Sequence, residues 1–381
     1  MMRLAVRAAL VPGIVITLTA CLPRPPVGPA AQAVPGAVGL SGRHGHSIRA
    51  LAVSPRGTLA VTGSRDHDVF LWDLGARTVS GVLRHHSRSV WAVAISPDGR
   101  TLATASDDLS IRFWDLPGGR PRGIFKGHEE SIRALVFTPD GKALISGSRD
   151  NTIRLWDMVE YRPKGVLRGH ESTVRSLAVT PDGRMVASGS ADDTIRLWDL
   201  MSGASGRVLR GHADTVHALV ITPDGRALIS GSGDQSLRFW ELPSGVLAGI
   251  LVPDRLGRPV TRWERWELDT GPEVLALALS PDGRTLAVAI RDNTIRLVDV
   301  PSRSESSVLG VADSTVYAMA FTPDGKFLVS GSDDRGVTLW DLRTIRARGG
   351  ASHRRAGRSC PRERHAALLT LAEDRPCALR P

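Results

Sequence analysis

His170, Ser190 and Asp192 stand near one another in a single stretch, Gly169–Leu200, which reads GHESTVRSLAVTPDGRMVASGSADDTIRLWDL. A histidine, a hydroxyl and a carboxylate are the parts of a hydrolytic relay: a base, a nucleophile and the anion that orients the base. Repetition argues against that chemistry. The sets His44/Ser64/Asp66/Trp72, His86/Ser106/Asp108/Trp114, His128/Ser148/Asp150/Trp156, His170/Ser190/Asp192/Trp198 and His212/Ser232/Asp234/Trp240 share one spacing. A constellation that recurs five times at fixed phase braces a repeated unit. Outside these sets the chain shows no carboxylate pair, nucleophile with base, CxxC or Cys/His cluster, so neither a catalytic residue nor a metal or cofactor is expected.

The repeat also defines the elements that must hold these residues. Trp72, Trp114, Trp156, Trp198 and Trp240 follow one another at 42 residues, as do Val298 and Trp340; the step from Trp240 to Val298 is 58. Within one copy, Thr173–Val179, Arg184–Ser188 and Thr194–Leu200 alternate apolar with polar or small residues, each a short strand bounded by turn residues. Thr180-Pro181-Asp182-Gly183 reads as a type I turn between the first two. Gly206–Leu209 supplies a fourth strand.

With that phase, the chain resembles the WD40-repeat β-propellers over about 300 of its 381 residues. The resemblance implies an all-β, seven-bladed propeller of four-stranded blades. It also implies that each blade is pinned by hydrogen bonds among its His, Ser, Asp and Trp, the Ser lying eight residues before the Trp. Blade seven keeps Ser332, Asp334 and Trp340 but has Ala312 for His; blade six has Thr270, Ile290 and Val298 and keeps only Asp292. Blade six is therefore expected to be the least rigid, or to be held by something else. Residues 34–42 stand where an outer strand would close blade seven and remove an open edge. The insertion 253–270, PDRLGRPVTRWERWELDT, either covers blade six or forms a lip whose contacts are Arg262, Trp263, Arg265 and Trp266.

In propellers of this kind partners are taken at the top-face mouth. The residues five after each His position are Arg49, Trp91, Arg133, Arg175, His217, Leu275 and Tyr317; those just before each Asp are Arg65, Asp107, Arg149, Ala191, Gly233, Arg291 and Asp333. Six arginines, a Trp, a Tyr and a His thus converge against two Asp. Arg and aromatic residues dominate interface hot spots, and Arg pairs bidentately with carboxylate or phosphate. An acidic or carboxylate-bearing peptide, or a polyanion, is the expected partner. On the other face, Asp98, Asp140, Asp182, Asp224, Asp282 and Asp324 read as turn formers rather than cation ligands.

The net charge of +10 does not mark a nucleic-acid surface. Residues 1–43 carry four Arg and no acid, and 343–381 carry ten Arg against three acids, leaving the repeats between them at −1. Arg3 and Arg7 precede an uncharged run too short to span a bilayer, which ends Leu18-Thr19-Ala20-Cys21. This ending resembles the lipobox of bacterial lipoprotein signal peptides and implies cleavage before Cys21 and its acylation. The organisation expected is a signal peptide over 1–20, a lipid-anchored Pro/Ala-rich tether over 21–37, a propeller over 38–342 and a basic tail over 343–381. The function expected is a non-catalytic, monomeric interaction scaffold of the cell envelope. The alternatives are a lactonase- or hydrolase-like propeller enzyme there, or a cytoplasmic regulatory scaffold.

Overall fold

The computed structural model describes residues 36–252, 272–311 and 314–344. The expected signal peptide, Cys21, the insertion with Arg262, Trp263, Arg265 and Trp266, and the tail beyond residue 344 lie outside them, as do Thr270 and Ala312.

The described residues form twenty-eight strands, β1 to β28 in chain order, in seven four-stranded antiparallel sheets. Blade four shows the plan: β14 (Val174–Val179), β15 (Met185–Ser190), β16 (Ile195–Asp199) and β17 (Ser205–Leu209) pair consecutively from the axis outward. The inner strands pack side by side around the axis, and the first, β2 (Ile48–Val53), meets the last, β26 (Val316–Phe321). The seventh sheet runs β1 (Ala37–Gly39), β28 (Val337–Asp341), β27 (Phe327–Ser332) and β26, so its outer strand comes from the N-terminal end of the ring. That strand is three residues long, with Ala37 opposite Trp340.

The apolar core lies between blades. Ala187, Ile195 and Leu197 of blade four pack with Val216, Leu219, Leu228 and Trp240 of blade five. Close approach depends on small residues in the middle strands: a Cβ on Gly147 would stand 2.6 Å from Val174 Cγ1 of the next blade, and one on Gly189 2.6 Å from Val216 Cγ1. On the bottom face the Pro-x-Gly turns meet head to tail, and Gly57 of blade one would bring a Cβ to 3.2 Å from Pro323 of blade seven. The Asp of each turn is consumed locally; Asp182 Oδ1 accepts Thr180 Oγ1 at 2.5 Å and the Arg184 amide at 3.0 Å.

The brace departs from the expected residue set at one position. In blade four the hydroxyl bonded to the His ring is Ser188, not Ser190: His170 Nε2 is 2.7 Å and Trp198 Nε1 2.8 Å from Ser188 Oγ, while His170 Nδ1 is 2.7 Å from Asp192 Oδ2. Thr62, Thr104, Ser146 and Ser230 take the same place with His44, His86, His128 and His212. Pairing register is the reason. Trp198 lies opposite Val186, so Ser188 is its diagonal neighbour, and Ser190 is about 7 Å farther along the strand. Ser64, Ser106, Ser148, Ser190 and Ser232 instead tie the top loops: Ser190 Oγ donates to the Ser172 carbonyl and accepts the Asp192 amide, both at 3.0 Å.

Proton bookkeeping orders the relay. The carboxylate only accepts, so Nδ1–H donates to it; Nε2 then accepts the hydroxyl proton, and the hydroxyl oxygen accepts the indole N–H. This reproduces the connectivity of a hydrolytic triad, but Ser188 is fully buried and its oxygen already serves Trp198. Blade six dispenses with the relay as a unit. Val288 and Val298 occupy the hydroxyl and indole positions, both fully buried, so no polar partner is orphaned. Asp292 is held by Arg296 Nη2 at 3.3 Å, while Arg296 Nη1 lies 3.2 Å from Glu305.

Burial pushes the Asp66 carboxyl up, but hydrogen bonds from His44 and from the Asp68 and Gly45 amides outweigh it and hold it at about 2. Asp108, Asp150, Asp192 and Asp234 are lowered in the same way. Burial also lowers His212, against the pull of Asp234. A group whose folded value is depressed stabilises the fold above its unfolded value and withdraws that stability as pH falls. The melting temperature should therefore begin to decline below about pH 6.5 through His212 and fall steeply below about pH 4 through the five Asp. Equal melting temperatures at pH 7 and pH 3 would contradict this. Ser188→Ala, which orphans two buried partners, should cost about 2–3 kcal/mol in urea unfolding.

Candidate interaction site at the mouth of the ring

Each inner strand carries a bulge near its top end. In blade four Val174 pairs with Ser190 and Ser176 with Gly189, leaving Arg175 as the extra residue. The same register shift isolates Arg49, Trp91, Arg133, His217, Leu275 and Tyr317. A bulge re-aims one side chain without breaking the sheet. The residues predicted to line the mouth are thus the bulged residues of the seven inner strands.

Four of them form a continuous stack across blades seven, one, two and three. The Arg49 guanidinium carbon lies 3.6 Å from the Tyr317 ring centroid and 5.4 Å from that of Trp91; that of Arg133 lies 3.8 Å from Trp91. Arg133 Nη2 is 3.4 Å from Asp107 Oδ1, and Asp107 also accepts the Ser131 hydroxyl. Arg49 Nε and Trp91 Nε1 are buried and have no hydrogen-bond partner. Burial, with Arg175, Arg149 and Arg49 nearby and against the attraction of Asp107, pushes the Arg133 guanidinium down to about 10. Arg175 is lowered by burial and then by Arg149, against Glu273 and Asp214.

The charge is less one-sided than the residue spacing implied. Loops leading into the inner strands add Glu130, Asp214 and Glu273, three acids that the position count passed over. Arg149 Nε is 3.8 Å from Glu130; Arg291 Nη2 is 2.7 Å and His217 Nε2 3.5 Å from Glu273. Each of these acids precedes a bulge residue by two or three positions, which is the signal that could have found them. The mouth therefore has a basic arc over blades one to four, with Arg49, Arg65, Arg133, Arg149 and Arg175, and a charge-paired arc over blades five and six. Leu275 leaves a neutral gap. Among the described residues no group of three or more His, Cys, Asp or Glu is placed to hold a metal. A cavity of about 590 Å³ on the bottom face, between blades four and five, contains none of the predicted partner-binding residues.

Sequence comparison agrees with this geometry. A family model described as "WD domain, G-beta repeat" matches residues 40–73, 77–115, 119–157, 161–199, 203–241, 264–299 and 305–341. The chain belongs to the WD40-repeat family. Among relatives of this WD40 chain, the target of rapamycin complex subunit LST8-1 of Arabidopsis thaliana is 38% identical over 90 residues, covering 20% of this chain and 29% of its own. WD repeat-containing protein VIP3 of the same organism is 34% identical over 105 residues, 26% of this chain and 33% of its own. Nuclear distribution protein PAC1-2 of Uncinocarpus reesii is 44% identical over 57 residues, 15% and 12% respectively. The chain spans a third or less of the length of each of these curated relatives. The family is typically one of protein-interaction scaffolds, and LST8-1 is by its name a subunit of a complex.

Burial lowers His217 first, then Arg175, while Glu273 and Asp214 raise it. Glu273→Gln should therefore lower the His217 pKa further, as read by NMR titration of its ring; a rise would contradict the pairing.

Proposed function

We propose that this WD40 ring is a non-catalytic interaction platform that takes an acidic segment of a protein partner at its top-face mouth. The observation that carries the reading is the basic arc of blades one to four. Successive bulges of blades three and four present Arg133 and Arg175, with Arg49 on the other side of Trp91, and Asp107 offsets part of the Arg133 charge. Further support comes from the brace, where each His–hydroxyl pair is sealed beneath an indole and is inaccessible to a substrate.

The proposal extends to location: Cys21 carries an acyl anchor and the ring works in the cell envelope. Its support is the basic start, the short apolar run and the Leu18–Cys21 ending. Labelling with radioactive palmitate should mark the wild-type chain and not Cys21→Ser. Equal labelling and equal membrane partition of the two would remove the anchor and favour the cytoplasmic scaffold.

For the mouth, combined Arg133→Glu and Arg175→Glu should abolish the partners captured by cross-linking pull-down from membranes. Reversing two partly desolvated charges should weaken binding by at least about 100-fold. An unchanged set of partners would end the mouth reading.

A further inference from the structure

The aromatic rings at the mouth resemble surfaces waiting for a ligand, but cations of the same chain already occupy them. Trp91 is engaged by Arg49 from blade one and by Arg133 from blade three, and Tyr317 by Arg49. A guanidinium stacked on a ring uses its face, whereas its N–H donors lie in its plane and stay directed outward from the stack. The rings therefore set the plane in which the donors point. An aromatic cage for a cationic ligand would have to expel Arg49 or Arg133 first.

We infer that Trp91 and Tyr317 are positioning residues for Arg49 and Arg133, and that the group recognised is a carboxylate received edge-on by Arg133 with Arg175 beside it. Three features converge on that notch. Asp107 binds Arg133 through Nη2, fixing one edge of the guanidinium, and Ser131 in turn anchors Asp107. The next bulge along the ring presents Arg175, which makes no ion pair within 4.0 Å among the described residues. Glu273 pairs directly with Arg291 and lies 3.5 Å from His217, so it reaches Arg175, as Asp214 does, only by longer-range attraction and leaves its donors open. The carboxylate can come from an acidic side chain or from a chain terminus.

This inference rests on the acidic-partner reading, and the test separates the two. Fluorescein-labelled hexaglutamate, with a free or an amidated C-terminus, is titrated against the full chain in detergent and followed by anisotropy. Wild type should bind both forms if side chains are read, and only the free form if the terminus is read. Trp91→Leu should weaken binding about five- to tenfold, and Trp91→Phe should restore it to within about twofold. In an Arg133→Gln background the Trp91→Leu effect should vanish, because the ring acts through that arginine. Arg207→Gln, on the bottom face, should leave binding unchanged. Melting curves matching wild type qualify each variant.

No binding of either peptide by wild type would overturn the acidic-partner reading itself. Binding by wild type with additive Trp91 and Arg133 effects, or no effect of Trp91→Leu, would overturn only the positioning inference.

Discussion

A four-stranded blade has two apolar faces, and nothing inside the blade covers either of them. Every other feature of this molecule depends on that deficit. Leu197 and Ile195 become core only when Val216, Leu228 and Trp240 of the following blade arrive, and the last blade has no such neighbour unless the ring closes. Closure is made at three levels. Gly57 packs on Pro323 at the bottom, β2 lies along β26 at the axis, and the N-terminal strand pairs with β28 at the rim.

The buried relay solves a second problem created by the same packing. An indole at the blade interface must bury its N–H, and burial without a partner costs about 1–3 kcal/mol. The Ser188-type hydroxyl receives that N–H, the His accepts the hydroxyl proton, and the Asp takes the charge balance to the top loop, where the amide of residue 171 also donates to it. One chain of donors thus links the interface to the loop that enters the inner strand. Blade six shows the complementary rule. Valines at both the hydroxyl and the indole position, Val288 and Val298, pack fully buried, and an Arg296 bridge serves the surviving Asp292.

The bulge is where fold turns into site. Its neighbour on the middle strand is small, as at Gly189, where Val216 of the next blade approaches closely, and at that level the inner strand carries one extra residue. That extra residue has no core position to fill and faces the opening. Seven blades therefore yield seven side chains at the mouth whose identity the fold leaves open, and in this chain four of those residues stack into an arginine–aromatic series.

Much of this was legible in the chain itself. A 42-residue period, Pro-Asp-Gly turns and a closing Trp-Asp determine blade number, strand order and turn positions, because each is a local property repeated in phase. The period also identified His170 and Asp192 as braces, and the counting from His placed Arg133 and Trp91 at the opening. Register was not legible: Ser188 and Ser190 both flank a glycine on the same strand, and only pairing of Val186 with Trp198 decides which hydroxyl reaches the ring. Nor were the charge pairings at the mouth: the positions of Glu130, Asp214 and Glu273 before the bulges can be counted along the chain, but the partners that Glu130 and Glu273 take, Arg149 and Arg291, are set by the folded loops. Periodicity specifies the elements because it is written along one strand at a time. Contacts between side chains of different blades belong to the closed ring, and only its three-dimensional packing decides them.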